Sequence, residues 1–274
     1  MPLEAARSVY AQASRTLDLR GNDAVRIDAI QAHVGARSVA LRISNPAHAG
    51  RGTLMWIHGG GFCLGSAAGT DALCAMFASV LGMRDVSVDY RLAPEHALPA
   101  ALEDVRTAID WCGLRFPDEP LCLGGESAGA TLAVAASREA VGETAPPRLL
   151  LCYPLAGPLV KSESMARYAH GHYLSVADLE WMHALSGYEA DPSLHLLAPT
   201  AGFTAGRTMV LLAGRDPLFD QGIALASRLR AHGAEVTEIQ LSDLVHGFVH
   251  MGGMVPFVKE VHAEMMNFVR ESMM

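Results

Sequence analysis

The sequence predicts an α/β protein: a mostly parallel, eight-stranded sheet flanked by helices, with a small helical lid outside it. Three observations carry this. Apolar segments of five to seven residues alternate with helix-forming stretches of ten or more, the pattern of βαβ units. The first two segments are joined only by Gly35-Ala36-Arg37, too short for a crossover, so they pair antiparallel at one edge. Two stretches, 1–25 and 157–206, break the alternation and have no place in the sheet.

The elements follow in order. AIQAHV (29–34) and SVALRIS (38–44) form the hairpin, and TLMWIHG (53–59) is a short apolar strand. DALCAMFASVLG reads as a helix with Thr70 as its N-cap, leading into the strand VSVDY (86–90). ALEDVRTAIDWC is helical and precedes LCLGG (121–125), and an Ala-rich run at 128–140 is helical by propensity. RLLLCYP (148–154) and TMVLLAG (208–214) bracket the long interruption. FDQGIALASRLRAH is a helix stopped by Gly233, and EVTEIQL (235–241) is the last strand. Pro256 opens a C-terminal helix over 256–272. Within the interruption, Ser175 with Asp178, then Leu179, Met182 and Leu185, predict a capped amphipathic helix. The catalytic domain is expected over 26–156 and 207–274, with lid elements in 1–25 and 157–206.

Composition excludes several classes. The chain has 274 residues, half of them hydrophobic, which is enough for a large core. The net charge is −8 and the only lysines are Lys161 and Lys259, so nucleic-acid binding is not expected. The longest apolar stretch, 149–160, is broken by Pro154 and Pro158 and is too short to span a bilayer. The N-terminal stretch carries Glu4 and no apolar run, so no secretory signal is expected. The five cysteines include no C-x-x-C, which suits a reducing cytoplasm.

Gly125-Glu126-Ser127-Ala128-Gly129 lies between a strand and an Ala-rich helix. A serine nucleophile needs that sharp turn to project its hydroxyl above the sheet, with glycines where strand and helix approach. His58-Gly59-Gly60-Gly61-Phe62 follows another strand. Three consecutive glycines are costly in chain entropy, and an oxyanion hole needs backbone N–H groups aimed at a ligand. No dinucleotide or P-loop register fits the glycine stretch. The base must be oriented by a carboxylate. Among the twelve histidines, His246 follows the last strand and precedes Gly247, and Asp216 follows TMVLLAG directly. The order Ser127, Asp216, His246 is that of the α/β-hydrolase fold.

Other residues weigh less. His250 is a weaker rival for the base, Asp220 reads as the cap of the following helix, and Asp243 as a turn residue. His170 and His172 lack companions for a metal site. Cys63 reads as a small buried residue beside the glycine loop, and Met251 and Met254 as core filling or a pocket border.

HGGGF (58–62), DYRLAPEHALPAALED (89–104), GESAG (125–129), DPLFD (216–220) and HGF (246–248) together resemble the hormone-sensitive-lipase-like family of α/β-hydrolase carboxylesterases. The resemblance implies Ser127 as nucleophile, Asp216 as acid and His246 as base. It implies Gly59, Gly60 and Ala128 as oxyanion donors, and places Phe62 and Phe248 at the substrate. Glu126 stands where Asp is more usual, and the stretch before the first strand is short, so the lid is expected to come mainly from 157–206. The expected activity is hydrolysis of short-chain acyl esters by a cytoplasmic serine esterase without metal or organic cofactor. An amide, formamide or lactone hydrolase would use the same triad, and a catalytically silent ligand-binding protein is the reading from another class. The expected partner is a small-molecule ester, with no nucleic acid and no membrane; a homodimer is left open.

Overall fold

The computed structural model describes residues 1–17, 25–138, 148–199, 203 and 206–273. The eight strands are β1 (Val25–Val34), β2 (Arg37–Pro46), β3 (Thr53–Ile57), β4 (Arg84–Asp89), β5 (Leu121–Glu126), β6 (Arg148–Cys152), β7 (Arg207–Arg215) and β8 (Glu235–Val245). They form one sheet in the order β1-β2-β4-β3-β5-β6-β7-β8. β2 runs antiparallel to both β1 and β4, and every later pairing is parallel. The antiparallel edge predicted from the short hairpin is therefore the reversal of β2 alone. β1 begins four residues before the segment read from the sequence and β8 ends four residues after it.

The helices are α1 (Leu3–Leu17), α2 (Asp71–Leu81), α3 (Pro99–Arg115), α4 (Ala128–Ser137), α5 (Glu163–Arg167), α6 (Val176–Ser186), α7 (Phe219–Ala231) and α8 (Pro256–Met273). Alternation along the strands splits the core in two. Met55 and Ile57 of β3 and Val86 and Val88 of β4 face the layer of α3, α4 and α7. Leu54 and Trp56 face α2 and α8, with the Trp56 ring 5.4 Å from Phe77. Gly124 in β5 is required here, because a Cβ would lie 2.8 Å from the Trp56 ring.

Helix ends follow local chemistry with two exceptions. α7 closes in a Schellman motif: Gly233 takes φ +88°, and the Ala234 and Gly233 N–H groups bond the Leu229 and Arg230 carbonyls. α6 carries the capping box of Ser175 and Asp178. Thr70 occupies the cap position of α2, but its hydroxyl bonds the Ala67 carbonyl and the Ser87 hydroxyl instead. Asp220 does not cap its own helix either; its carboxylate accepts the Ser164 N–H of α5, and its N–H donates to the Ser164 hydroxyl. Asp243, expected in a turn, is an exposed residue of β8 paired with Arg215. Of the Ala-rich run, residues 139 and 140 lie outside the described residues. No helix among the described residues is long and apolar enough to cross a membrane.

Candidate active site

Three carboxyl ends of parallel strands meet at one rim of the sheet. Ser127 follows β5, Asp216 follows β7 and His246 follows β8. Ser127 holds φ +52°, ψ −121°, the strained turn expected of an exposed nucleophile. The turn closes only around glycines. A Cβ on Gly129 would lie 2.0 Å from the Ile57 carbonyl oxygen, and one on Gly125 2.7 Å from the Gly129 backbone. The Ser127 N–H is held by the Cys152 carbonyl at 2.9 Å.

The Ser127 hydroxyl donates to His246 Nε2 at 3.0 Å, and His246 Nδ1–H donates to Asp216 Oδ2 at 2.6 Å. This assigns the proton of the neutral imidazole to Nδ1. The other oxygen of Asp216 accepts the Leu218 N–H at 2.9 Å, so both carboxylate oxygens are engaged. Exposure falls along the relay, from 8% at Ser127 and 7% at His246 to 1% at Asp216. The acid is sealed while the serine reaches the cavity.

The glycine loop is fixed from several sides. His58 stacks on Tyr90 with ring centroids 4.2 Å apart, Tyr90 O–H donates to the His58 carbonyl, and the Gly60 carbonyl accepts the Cys63 and Leu64 N–H groups. Gly60 and Gly61 take φ +110° and +58° and line the cavity beside Ser127. Gly59 does not line it; a Cβ there would lie 3.3 Å from Glu126 Cγ and from Ser127 Cβ, so it packs against the start of the nucleophile turn. Of the expected glycine donors Gly59 and Gly60, the structure sets Gly60 on the cavity, together with Gly61. Ala128 is buried as the first residue of α4, where its N–H is one of the unbonded donors of a helix start.

The cavity above Ser127 has a volume of about 380 Å³. Leu174, Trp181 and Met182 form one wall, and Met182 lies directly over Gly61. The rest of the lining includes Met1 and, from α1, Ala6, Val9, Tyr10, Ala13 and Ser14. Residues of both stretches, 1–25 and 157–206, thus line the cavity. The fixed point of α1 is Arg7, which bonds the Cys63 and Ala93 carbonyls and, with both terminal nitrogens, Glu95 of the YRLAPE stretch.

Phe62 and Phe248, expected at the substrate, are core residues with 1% and 0% exposure; Phe62 stacks on Tyr188 and Phe248 packs edge-on against Tyr153. Cys63 is buried, its thiol pushed up to about 12 by burial. Met251 is core and Met254 is exposed. His250 does not reach Ser127; its Nε2 lies 2.5 Å from Glu126 Oε1. His170 is exposed and His172 half-buried, and no cluster of three metal-ligating side chains occurs among the described residues.

Glu126 was legible only as a departure in the motif. In the fold it is buried and also accepts the Tyr153 O–H at 2.7 Å. Burial would raise its carboxyl, but the cationic form of His250 and the hydrogen bonds from His250 and Tyr153 bring it down to about 2.

The fold and this rim define an α/β hydrolase of the Ser-His-Asp type. A family model described as the alpha/beta hydrolase fold matches residues 54–250. The carboxylic ester hydrolase LipN of Mycobacterium tuberculosis (strain ATCC 25618 / H37Rv) is 34% identical over 215 residues, which cover 72% of this chain and 57% of LipN. The ethyl acetate hydrolase of Pseudomonas putida is 31% identical over 223 residues, 77% of this chain and 70% of that protein. Among solved structures, the carboxylesterase EstE1, cloned from a metagenomic library, aligns with a TM-score of 0.89 at 26% identity, covering 100% of this chain and 98% of that one. The chain belongs to the α/β-hydrolase fold family, in the hormone-sensitive-lipase-like branch with these carboxylic ester hydrolases.

Proposed function

We propose that this chain hydrolyses short-chain acyl esters through an acyl-enzyme on Ser127. The relay Ser127–His246–Asp216 at 3.0 and 2.6 Å, opening into a cavity of about 380 Å³, carries the reading. His246 Nε2 takes the Ser127 proton as the hydroxyl oxygen attacks the ester carbonyl. Asp216 holds the Nδ1–H tautomer and stabilises the imidazolium. The N–H groups of Gly60, Gly61 and Ala128 receive the oxyanion. His246 returns the proton to the departing alcohol. A water then repeats the sequence on the acyl carbon, releasing acid and free Ser127.

The cavity volume sits at the lower end of the range for small-molecule pockets, which supports substrates with short acyl chains. Its apolar walls suit an acyl group of a few carbons. α1 and the α5–α6 insertion act as the cap that limits chain length. The five free, buried cysteines support a cytoplasmic setting.

Rates on p-nitrophenyl esters from acetate to palmitate, with matched amides and lactones, test the reading. kcat/KM is expected to peak between about two and six carbons and then fall, since each buried methylene adds only about 0.8 kcal/mol until the wall is met. Ser127→Ala is expected to lower kcat by about 10⁶-fold with the fold retained. A maximum at long chains, higher kcat/KM on amides or lactones, or retained activity without Ser127, would overturn it.

A further inference from the structure

We propose that Glu126 is the positioning residue of this active site, holding the nucleophile turn, the oxyanion loop and the base in one register. The inference rests on the reading of Ser127, His246 and the glycine loop given above. Glu126 is the last residue of β5 and directly precedes the strained Ser127. Its buried side chain makes three separate tethers.

The first runs to the oxyanion loop. A Cβ on Gly59 would lie 3.3 Å from Glu126 Cγ, so the stem of Glu126 packs against the peptide from which Gly60 and Gly61 turn toward the cavity. The second runs to the face of the base. Tyr153 O–H donates to Glu126 Oε2, and the Tyr153 ring lies 4.5 Å from the His246 ring at 54°. Tyr153 itself is strained, at φ +37°, and its N–H bonds the Leu211 carbonyl of β7. Fixing its hydroxyl therefore fixes the surface on which the imidazole rests. The third runs to the far end of the base's own loop. His250, four residues beyond His246, bonds Glu126 Oε1, while its N–H bonds the Gly247 carbonyl. The loop is clamped at one end by Asp216 and at the other by Glu126.

A carboxylate suits this place because both hydrogen-bond partners, Tyr153 and His250, donate. It offers about four acceptor sites on two oxygens, whereas a glutamine turns an NH₂ toward one of the donors. A buried charge is retained only when it is paired and fully bonded, and this one is. Nothing in the three tethers requires Glu126 to touch the reacting ester; its effect passes through Gly59, Tyr153 and His250.

The test compares Glu126→Gln and Glu126→Asp with the parent on p-nitrophenyl acetate, with circular dichroism and Tm recorded for each. E126Q is expected to lose about 10- to 100-fold in kcat with KM within about two-fold, the signature of displaced rather than absent groups. A simple alkylboronic acid, which forms a tetrahedral adduct on Ser127, should lose inhibitory strength by a similar factor. E126D, which keeps the charge on a shorter stem, should recover part of kcat. A folded E126Q with kcat within about two-fold of the parent overturns the proposal, as does a loss that tracks Tm alone across both variants. Should E126Q fail to fold, Tyr153→Phe removes one tether and keeps the ring. Lower kcat at unchanged KM then supports the proposal, and unchanged kcat overturns it. A parent inactive on every ester defeats the proposed function instead, so the two failures are distinguishable.

Discussion

The rim of the sheet and the cap above it are built by different means. Each triad residue leaves a strand whose backbone is bonded into the ladder, and each is buried. Strain is tolerated there: Ser127 and Tyr153 hold positive φ without being glycine, because the surrounding contacts over-determine them. The cap sinks Leu179, Met182 and Tyr188 into the main core and is clipped at its edges by a few polar contacts. α1 hangs on Arg7. α5 is fastened to the loop after Asp216 through Ser164, Pro217 and Asp220. α6 is held by His183 against Glu189, which also takes the Leu159 N–H. The frame fixes the chemistry, and the clips fix the space in which the substrate sits. Substitutions at the rim should therefore act on kcat, and substitutions in the cap on KM and chain length.

The sharpest way to break this comparison lies in two carboxylates four residues apart. Asp216→Asn is expected to lower kcat by about 10⁴-fold, because the imidazole loses the partner that selects its tautomer. Asp220→Asn weakens the docking of α5, worth about 1 kcal/mol of stability, with kcat retained. Equal losses of activity, read from initial rates and Tm, would erase the boundary between rim and cap.

A cap substitution sharpens it. Met182→Ala opens the volume over Gly61 and is expected to shift the preferred acyl length upward by about two carbons, at about 0.8 kcal/mol per methylene. The lost burial should cost about 2–5 kcal/mol in stability. A collapse of kcat on acetate esters, with chain preference unmoved, would place Met182 in the rim instead.

The smallest effect tests the frame far from the site. Asp85 of β4 is buried beneath α2, facing the Cys74 thiol, and burial pushes its carboxyl well up. A raised carboxyl binds its proton more tightly in the fold than in the unfolded chain. Its contribution to stability is full below the unfolded value of about 4 and is lost as pH rises toward the folded value. Asp85→Asn should therefore flatten the decline of Tm between pH 4 and 8 and leave kcat unchanged. An unchanged pH slope would show that Asp85 is ionised in the fold.

The strands, their order of chemistry and the triad were legible because they depend on short-range pattern. Apolar runs, the glycines around Ser127, and the placement of Asp216 and His246 directly after strands are all written within a few residues. The capping box of α6 and the Gly233 stop were legible for the same reason. The errors fall where distance matters. Phe62 and Phe248 were expected at the substrate, yet both rings pack into the core, against Tyr188 and Tyr153.

The sequence by itself determined that this chain builds a twisted sheet with a serine, an acid and a histidine at one rim, since period, turn chemistry and motif order all point that way. Tertiary structure alone decided that Gly61 lies on the cavity, that Glu126 meets Tyr153 and His250, and where α1 is pinned. Each of those depends on partners far apart in the chain: Glu126 with His250, Gly59 packed on Glu126, Arg7 with Cys63 and Glu95. Such contacts arise only after the sheet has brought strand ends together, and a local pattern carries no signal of a partner a hundred residues away.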